Sequence, residues 1–167
     1  NQVGFFNIID LASKFKVPHF VYASSSSVYG DNSKMPFNEQ SNTDRPRQIY
    51  AATKKSNELM AYSYSSLYGL KTTGLRYFTV YGPWGRPDMA LFKFTKNIIN
   101  KEPIEVFNNG NHIRDFTYVE DIVNGIIKAS KKIPKKNNIA KHNFSNPSKS
   151  YAPFRIYNIG KGKDINL

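Results

Sequence analysis

FVYASSSSVYG, residues 20–30, sends an apolar and aromatic run straight into four consecutive serines and then closes on Tyr29 and Gly30. A short apolar run that stops at small polar residues reads as a buried strand whose C-terminal end opens into a loop. In parallel α/β sheets that end is where ligands bind. Ser24 to Ser27 are therefore either site residues or simply a turn, since serine bonds its own backbone readily.

Working outward, Phe5, Ile8, Ile9, Ala12 and Phe15 recur at helical spacing, and Val17-Pro18 ends that helix before a strand at 19–24. A loop rich in Asn, Asp and Pro (31–48) leads to YAATKKSNELMAYSYSSLYG, residues 50–69. This reads as a second helix with Leu59, Tyr64 and Leu67 as packing residues and Gly69 as its stop. KTTGLRYFTVYG (71–82) reads as one further strand. The α-β-α-β order with short connections predicts right-handed crossovers and a parallel sheet. Beyond it the pattern predicts a helix near 88–100, a short strand IEVF (104–107), a turn NNGN, the segment RDFTYVED, a helix near 120–131 and a strand RIYNIG (155–160). The expected architecture is α/β, a partial doubly wound parallel sheet over residues 1–82 followed by an incomplete substrate-binding region over 83–167, with the helix near 120–131 returning to the sheet.

The chain has 167 residues, 40% of them hydrophobic, enough for one ordinary globular domain. It has no cysteine, and its three histidines, His19, His112 and His142, are scattered, so no metal site is expected. No apolar segment approaches the roughly 20 residues that span a bilayer, so a soluble, cytoplasmic protein without membrane partners is the expectation. The formal charge of +12 invites a nucleic-acid reading, but its location argues against one. Residues 122–163 hold nine Lys, one Arg and no acid, a net of +10, in a stretch rich in Asn, Ser and Pro. Such a stretch is a solvated loop more often than a recognition surface.

Tyr50 and Lys54 form Tyr-x-x-x-Lys, which on a helix places phenol and ammonium on one face. With 11 Tyr and 18 Lys in the chain, about one such pair is expected by chance, and a second, Tyr157 with Lys161, does exist. That second pair straddles a strand end and a glycine; only the first follows a strand ending in hydroxyls. The chemistry gives the combination its interest. A free phenol has a pKa of about 10, and lowering it by two to three units takes about 3–4 kcal/mol of charge stabilisation. A nearby ammonium and a positively charged nicotinamide can supply that, letting the tyrosine take the proton of a substrate hydroxyl that a serine holds.

YASSSSVYG, YAATKK, GLRYFTVYGPWGRPDMALF and RDFTYVEDI together resemble the extended short-chain dehydrogenase/reductase family, most closely its NAD-dependent nucleotide-sugar 4-epimerases acting on UDP-glucuronate. The motifs lie in the family's order over roughly residues 1–130. The resemblance implies NAD as cofactor, a UDP-sugar as substrate, a role in polysaccharide precursor synthesis and a homodimer at full length. It implies Tyr50 as the base, Lys54 as its partner on the nicotinamide ribose, Ser25 on the reacting oxygen, and Ser26 and Ser27 lining the sugar. Tyr77 and Val80 fall where the family flanks the nicotinamide. Thr79 and Arg86 fall where the uronate branch engages the sugar, Phe107 in the uridine-binding stretch, and Arg114 where the diphosphate is held. The alternatives are a UDP-glucose 4-epimerase, a nucleotide-sugar dehydratase, or a non-catalytic remnant. A dehydratase needs acidic residues where this chain has Ser26 and Ser27.

The family's strand, glycine-rich turn and helix, which receive the pyrophosphate, have no counterpart in these residues. GPWG (82–85) and GKG (160–162) do not fit the pattern. The expectation is a piece of an epimerase lacking the N-terminal half, whether cut, split or decayed, that alone neither holds NAD nor catalyses.

Overall fold

The computed structural model describes residues 1–32, 34–111, 113–137, 146–148 and 150–166, without the side chains of Phe107, Asp164 and Asn166. In chain order its elements are α1 (Gln2–Lys14), β1 (Phe20–Ser25), a 3₁₀ turn (Ser26–Tyr29), α2 (Ile49–Tyr68), β2 (Thr72–Tyr77), β3 (Thr79–Tyr81), α3 (Ala90–Asn100), a second 3₁₀ turn (Phe107–Gly110), β4 (Ile113–Tyr118), α4 (Val119–Lys131), β5 (Phe154–Ile159) and β6 (Asp164–Asn166). They fall into two compact units. Unit 1 is residues 1–77 with 125–159, and unit 2 is residues 78–124 with 160–167, so α4 carries one of the divisions.

Unit 1 is built on a parallel sheet of order β1-β2-β5. Because side chains alternate along a strand, the register sorts the sheet into rows. Phe20, Thr72 and Phe154 form one row, Tyr22, Gly74 and Ile156 the next, and Ser24, Arg76 and Asn158 the last, at the C-terminal end of all three strands. Ile9 and Ala12 of α1 and Ala61 of α2 pack with Tyr22, Leu70, Phe154 and Ile156 into the core on this face. On the other face His19 bridges Thr73 Oγ1 and Ser130 O at the end of α4, 2.9 Å to each. Helices thus cover both faces, the Rossmann-like doubly wound arrangement that the α-β-α-β order predicts.

Of the packing residues expected on α2, Tyr64 packs against the core, but the close fit of the helix to the sheet corrects the other two. Leu59 and Leu67 are exposed; α2 buries Ala51, Asn57, Glu58, Ala61 and Ser65 instead. Small side chains let the helix approach the strands, and the buried Ser65 hydroxyl is satisfied by Leu70 O and Thr72 Oγ1, each at 2.7 Å. Ile8 of α1 and Phe15 just past its end are likewise exposed, while Ile9 and Ala12 are buried. Gly69 ends α2 as expected, in the left-handed conformation at φ 69° that glycine adopts without strain.

Residues 71–82 are not one strand. The chain breaks at Phe78 into β2, which pairs in unit 1, and β3, which pairs in unit 2. This break is also the unit boundary, a few residues before the boundary at 82 read from the sequence. In unit 2, β3 pairs parallel with β4, and β4 pairs antiparallel with β6. The expected strand at 104–107 is absent: residues 102–106 are irregular, held by Asn97 Nδ2 donating to Pro103 O at 2.8 Å. Asp115 fixes the GKG turn onto β4, accepting from Lys161 N at 3.0 Å, Gly162 N at 2.7 Å and Thr117 Oγ1 at 2.8 Å. A Cβ on Gly160 would lie 2.8 Å from Asp115 Oδ2, so the glycine serves this turn. No helix among the described residues is long and apolar enough to cross a membrane.

Candidate active site

The four serines divide. Ser24 is buried in the last row of the sheet, its hydroxyl donating to Glu58 Oε1 at 2.6 Å. Ser25 ends β1 in extended conformation, and its Oγ accepts from Ser27 N at 3.2 Å and from Ser27 Oγ at 2.8 Å. Ser25 to Ser27 therefore do make a hydroxyl-stapled turn, and that turn sits half-buried at the ligand-binding end of a parallel sheet. Gly30 closes it at φ 54°, where a Cβ would lie 1.9 Å from Arg45 O. Only glycine admits that backbone contact.

Tyr50 lies in the first turn of α2, 48% exposed. Lys54 follows one turn later, its Nζ 5.8 Å from the Tyr50 ring centre and donating to Ala23 O at 3.1 Å. That bond anchors the ammonium two residues before Ser25, so Lys54 joins the Tyr50 face of the helix to the end of β1. Burial holds the Lys54 amine below its usual range. Tyr77 is the register partner of Ser25 on β2, and burial pushes its phenol up.

Behind these residues lies a polar cluster that the sequence reading missed. Arg76 forks onto Glu58, with Nε to Oε1 and Nη2 to Oε2 both 2.8 Å. Its guanidinium carbon stands 4.9 Å from the centre of the Tyr29 ring, which stacks on Phe37 at 4.5 Å. Tyr29 in turn donates to Asn158 Oδ1 at 2.7 Å. Burial works against the charge on Arg76, but the bonds and charge of Glu58 outweigh it and hold the guanidinium above its ordinary pKa. The available signals were Glu58, two turns past Tyr50 on one helical face, and an arginine inside the otherwise uncharged TTGLRY.

Unit 2 carries the other expected residues. Thr79, Val80 and Arg114 line a cavity of about 560 Å³ with Leu91, Phe94 and Phe116, a volume typical of small-molecule sites. Arg114 Nη1 donates to Ile113 O at 2.9 Å. The Phe107 side chain is outside the described residues, but Glu105 and Val106 before it line the same cavity. Arg86 is exposed and forks onto Asp88, with Nε to Oδ1 3.0 Å and Nη2 to Oδ2. That contact lowers the Asp88 carboxyl pKa. Ser25, Ser26, Ser27, Tyr50, Lys54 and Tyr77 thus belong to unit 1, and Thr79, Val80, Arg86, Phe107 and Arg114 to unit 2.

The model of the NAD dependent epimerase/dehydratase family matches residues 1–160. Protein CapI of Staphylococcus aureus is 56% identical over 167 residues, all of this chain and 50% of that protein. A probable UDP-glucuronate 4-epimerase of Rhizobium meliloti is 48% identical over 168 residues, all of this chain and 49% of that protein. The chain spans about half the length of these curated relatives. The crystal structure of UDP-glucuronic acid 4-epimerase from Bacillus cereus, in complex with UDP-glucuronic acid and NAD, superposes with a TM-score of 0.81 at 28% identity. That match covers 99% of this chain and 47% of the other.

Proposed function

Because the chain belongs to the NAD dependent epimerase/dehydratase family, we propose that it carries the proton-transfer and sugar-recognition residues of an NAD-dependent UDP-glucuronate 4-epimerase, interconverting UDP-glucuronate and UDP-galacturonate. One observation carries the reading: Tyr50 and Lys54 share a face of α2, and Lys54 Nζ is fastened to Ala23 O beside the Ser25 turn. The Rhizobium relative's name supports the choice of sugar.

The residues present fit the cofactor's nicotinamide ribose. An amine whose charged form burial disfavours gains from hydroxyl partners, and the half-exposed phenol beside it is open to a ring. Lys54 and Tyr50 would hold the ribose, with Tyr77 and Val80 toward the nicotinamide. When bound, NAD supplies acceptance and return of hydride at the carbon bearing the reacting hydroxyl. Tyr50 takes that hydroxyl's proton and returns it, Lys54 stabilises the phenolate, and Ser25 holds the oxygen in line. Ser26 and Ser27 present hydroxyls to the sugar. The Arg86 fork, held by Asp88 in this structure, exchanges that carboxylate for the uronate's, and Thr79 adds a hydroxyl to the same recognition. Arg114 pairs with the diphosphate, and Phe107 belongs with the uracil.

A protein of full family length carrying these 167 residues, incubated with NAD and UDP-glucuronate, is expected to form UDP-galacturonate, read from anomeric proton NMR signals. Turnover of UDP-glucose with none of the uronate would overturn the choice of sugar. Near-wild-type turnover by Tyr50→Phe would overturn the base.

A further inference from the structure

We propose that the buried Glu58–Arg76 pair is a positioning device, locking the helix that carries Tyr50 and Lys54 to the end of β1 and to the serine turn. The inference rests on the reading in which Tyr50, Lys54 and Ser25 perform the chemistry. Neither partner touches the reacting atoms; both act through the residues they hold.

Stability alone does not account for the pair. The two side chains are 2% and 3% exposed, and at that depth the cost of stripping water from both charges offsets their attraction. Apolar residues of similar volume serve a core as well or better. Arg76 Nη1 has no hydrogen-bond partner in the fork with Glu58, and the guanidinium lies against the Tyr29 ring.

What the pair provides is geometry. Glu58 stands one turn beyond Lys54 and two beyond Tyr50, so the three share one face of α2. Its carboxylate is bound from β1 by Ser24 Oγ at 2.6 Å and from β2 by the Arg76 fork. A bidentate fork fixes direction as well as distance. The same guanidinium faces the ring of Tyr29, the last residue of the serine turn, whose hydroxyl is tied to Asn158 in the same sheet row. One cation therefore touches both the helix bearing the base and the turn bearing Ser25. A guanidinium keeps its charge across the working pH range.

The test uses the 167-residue chain. Glu58→Leu combined with Arg76→Met removes both charges and strands neither; Ser24→Ala keeps both and removes one bond to the carboxylate. The readout is the rate at which Lys54 is acylated by trace anhydride, relative to the other lysines, alongside the thermal midpoint. A purely structural pair predicts that Lys54 follows stability. A positioning pair predicts that the double variant melts near the wild type while Lys54, its bond to Ala23 O released, labels about fivefold faster, the equivalent of one hydrogen bond. A folded double variant with wild-type Lys54 labelling overturns the proposal. Should the double variant not fold, Ser24→Ala decides: faster Lys54 labelling at an intact fold supports the device, and unchanged labelling overturns it. Failure of the epimerase reading registers separately, as turnover surviving Tyr50→Phe at full family length.

Discussion

Unit 1 and unit 2 hold their candidate residues in opposite ways. In unit 1 the residues proposed for proton transfer stand on a scaffold whose core residues Ile9, Val28, Tyr29, Ala51, Ala61 and Leu75 are essentially inaccessible, and even its ions, Glu58 and Arg76, are sealed. In unit 2 α3 buries no residue among those described, and Arg86 and its partner Asp88 are open to water. Proton transfer depends on tenths of an ångström and needs groups that do not reorganise. Pairing a guanidinium with a carboxylate or diphosphate acts over several ångströms and tolerates a mobile holder. The contrast predicts large stability effects from changes inside the buried face of unit 1 and almost none at the exposed Arg86–Asp88 pair of unit 2.

The largest is Glu58→Ala, which leaves Arg76 as an uncompensated buried charge. The expected loss is about 3–5 kcal/mol, read from urea unfolding of the 167-residue chain. A loss under about 1 kcal/mol, the range of exposed pairs, would erase the contrast. Next comes Gly74→Ala. The Tyr22 phenol lies across Gly74, and an added Cβ would sit 2.6 Å from its oxygen and 2.8 Å from Cζ. Overpacking of this kind costs about 1–3 kcal/mol. Tyr22→Phe in the same chain removes the nearest atom, so the two changes together should be less damaging than their sum. Strict additivity would mean that unit 1 yields where its burial says it cannot.

The same difference decides how much was legible in the sequence. Unit 1 was read well where pattern and physics coincide: the strand before the serines, the helix after residue 48, the Gly69 stop, the parallel order. Leu59 and Leu67 misled because periodicity counts large apolar side chains, whereas the face of α2 that meets the sheet is made of Ala51, Ala61 and Ser65 with Glu58 among them. Glu58 and Arg76 escaped notice because a charge in a sequence reads as a solvated face until the fork between them is seen. In unit 2 the strands are three to six residues long and set by pairings the sequence does not announce. Hence IEVF was read as a strand that is not there, and β3 was merged with β2. Tyr50 and Lys54 stood out only because a strand ending in hydroxyls precedes them, since their spacing recurs at Tyr157 and Lys161; the Arg86–Asp88 contact did not stand out, since both residues read equally as surface charges.

A smaller effect on stability is expected at that contact. Arg86→Leu and Asp88→Asn should shift the thermal midpoint by no more than about 1 °C, since exposed pairs contribute little. Their signature lies in binding. At full family length, Asp88→Asn removes the internal competitor for the fork and should tighten UDP-glucuronate several-fold relative to UDP-glucose. Arg86→Leu should abolish the preference. Calorimetric titration of both nucleotides checks this. A large stability loss in either variant would show that unit 2 is held as firmly as unit 1.

The smallest effect belongs to an exposed pair inside unit 1, and it asks whether burial or membership of the unit governs the contrast. Asp10 and Lys14 meet at 2.8 Å one turn apart on α1, and Tyr64 donates to Asp10 at 3.2 Å. The hydrogen bond from Lys14 holds the Asp10 carboxyl below its ordinary 3.8, and Asp10 in turn raises the Lys14 amine above 10.5. A lowered carboxyl contributes stability that is complete above its unfolded pKa and disappears as pH falls through the folded value; a raised amine contributes below its unfolded pKa and loses that contribution as pH rises through the folded one. The difference between the wild type and Asp10→Asn should therefore be flat from about pH 5 to 9, shrink toward zero below about pH 3 and again in strong alkali, and fall further in 0.5 M salt because both groups face water. Urea midpoints at pH 3 and 7, with and without salt, test each part. Glu58→Ala, measured beside it, should respond little to salt because its partner charge is sealed from counterions. Should Asp10→Asn cost as much as Glu58→Ala at pH 7, exposure would not be what separates the two units, and unit 1 would be held by something other than burial.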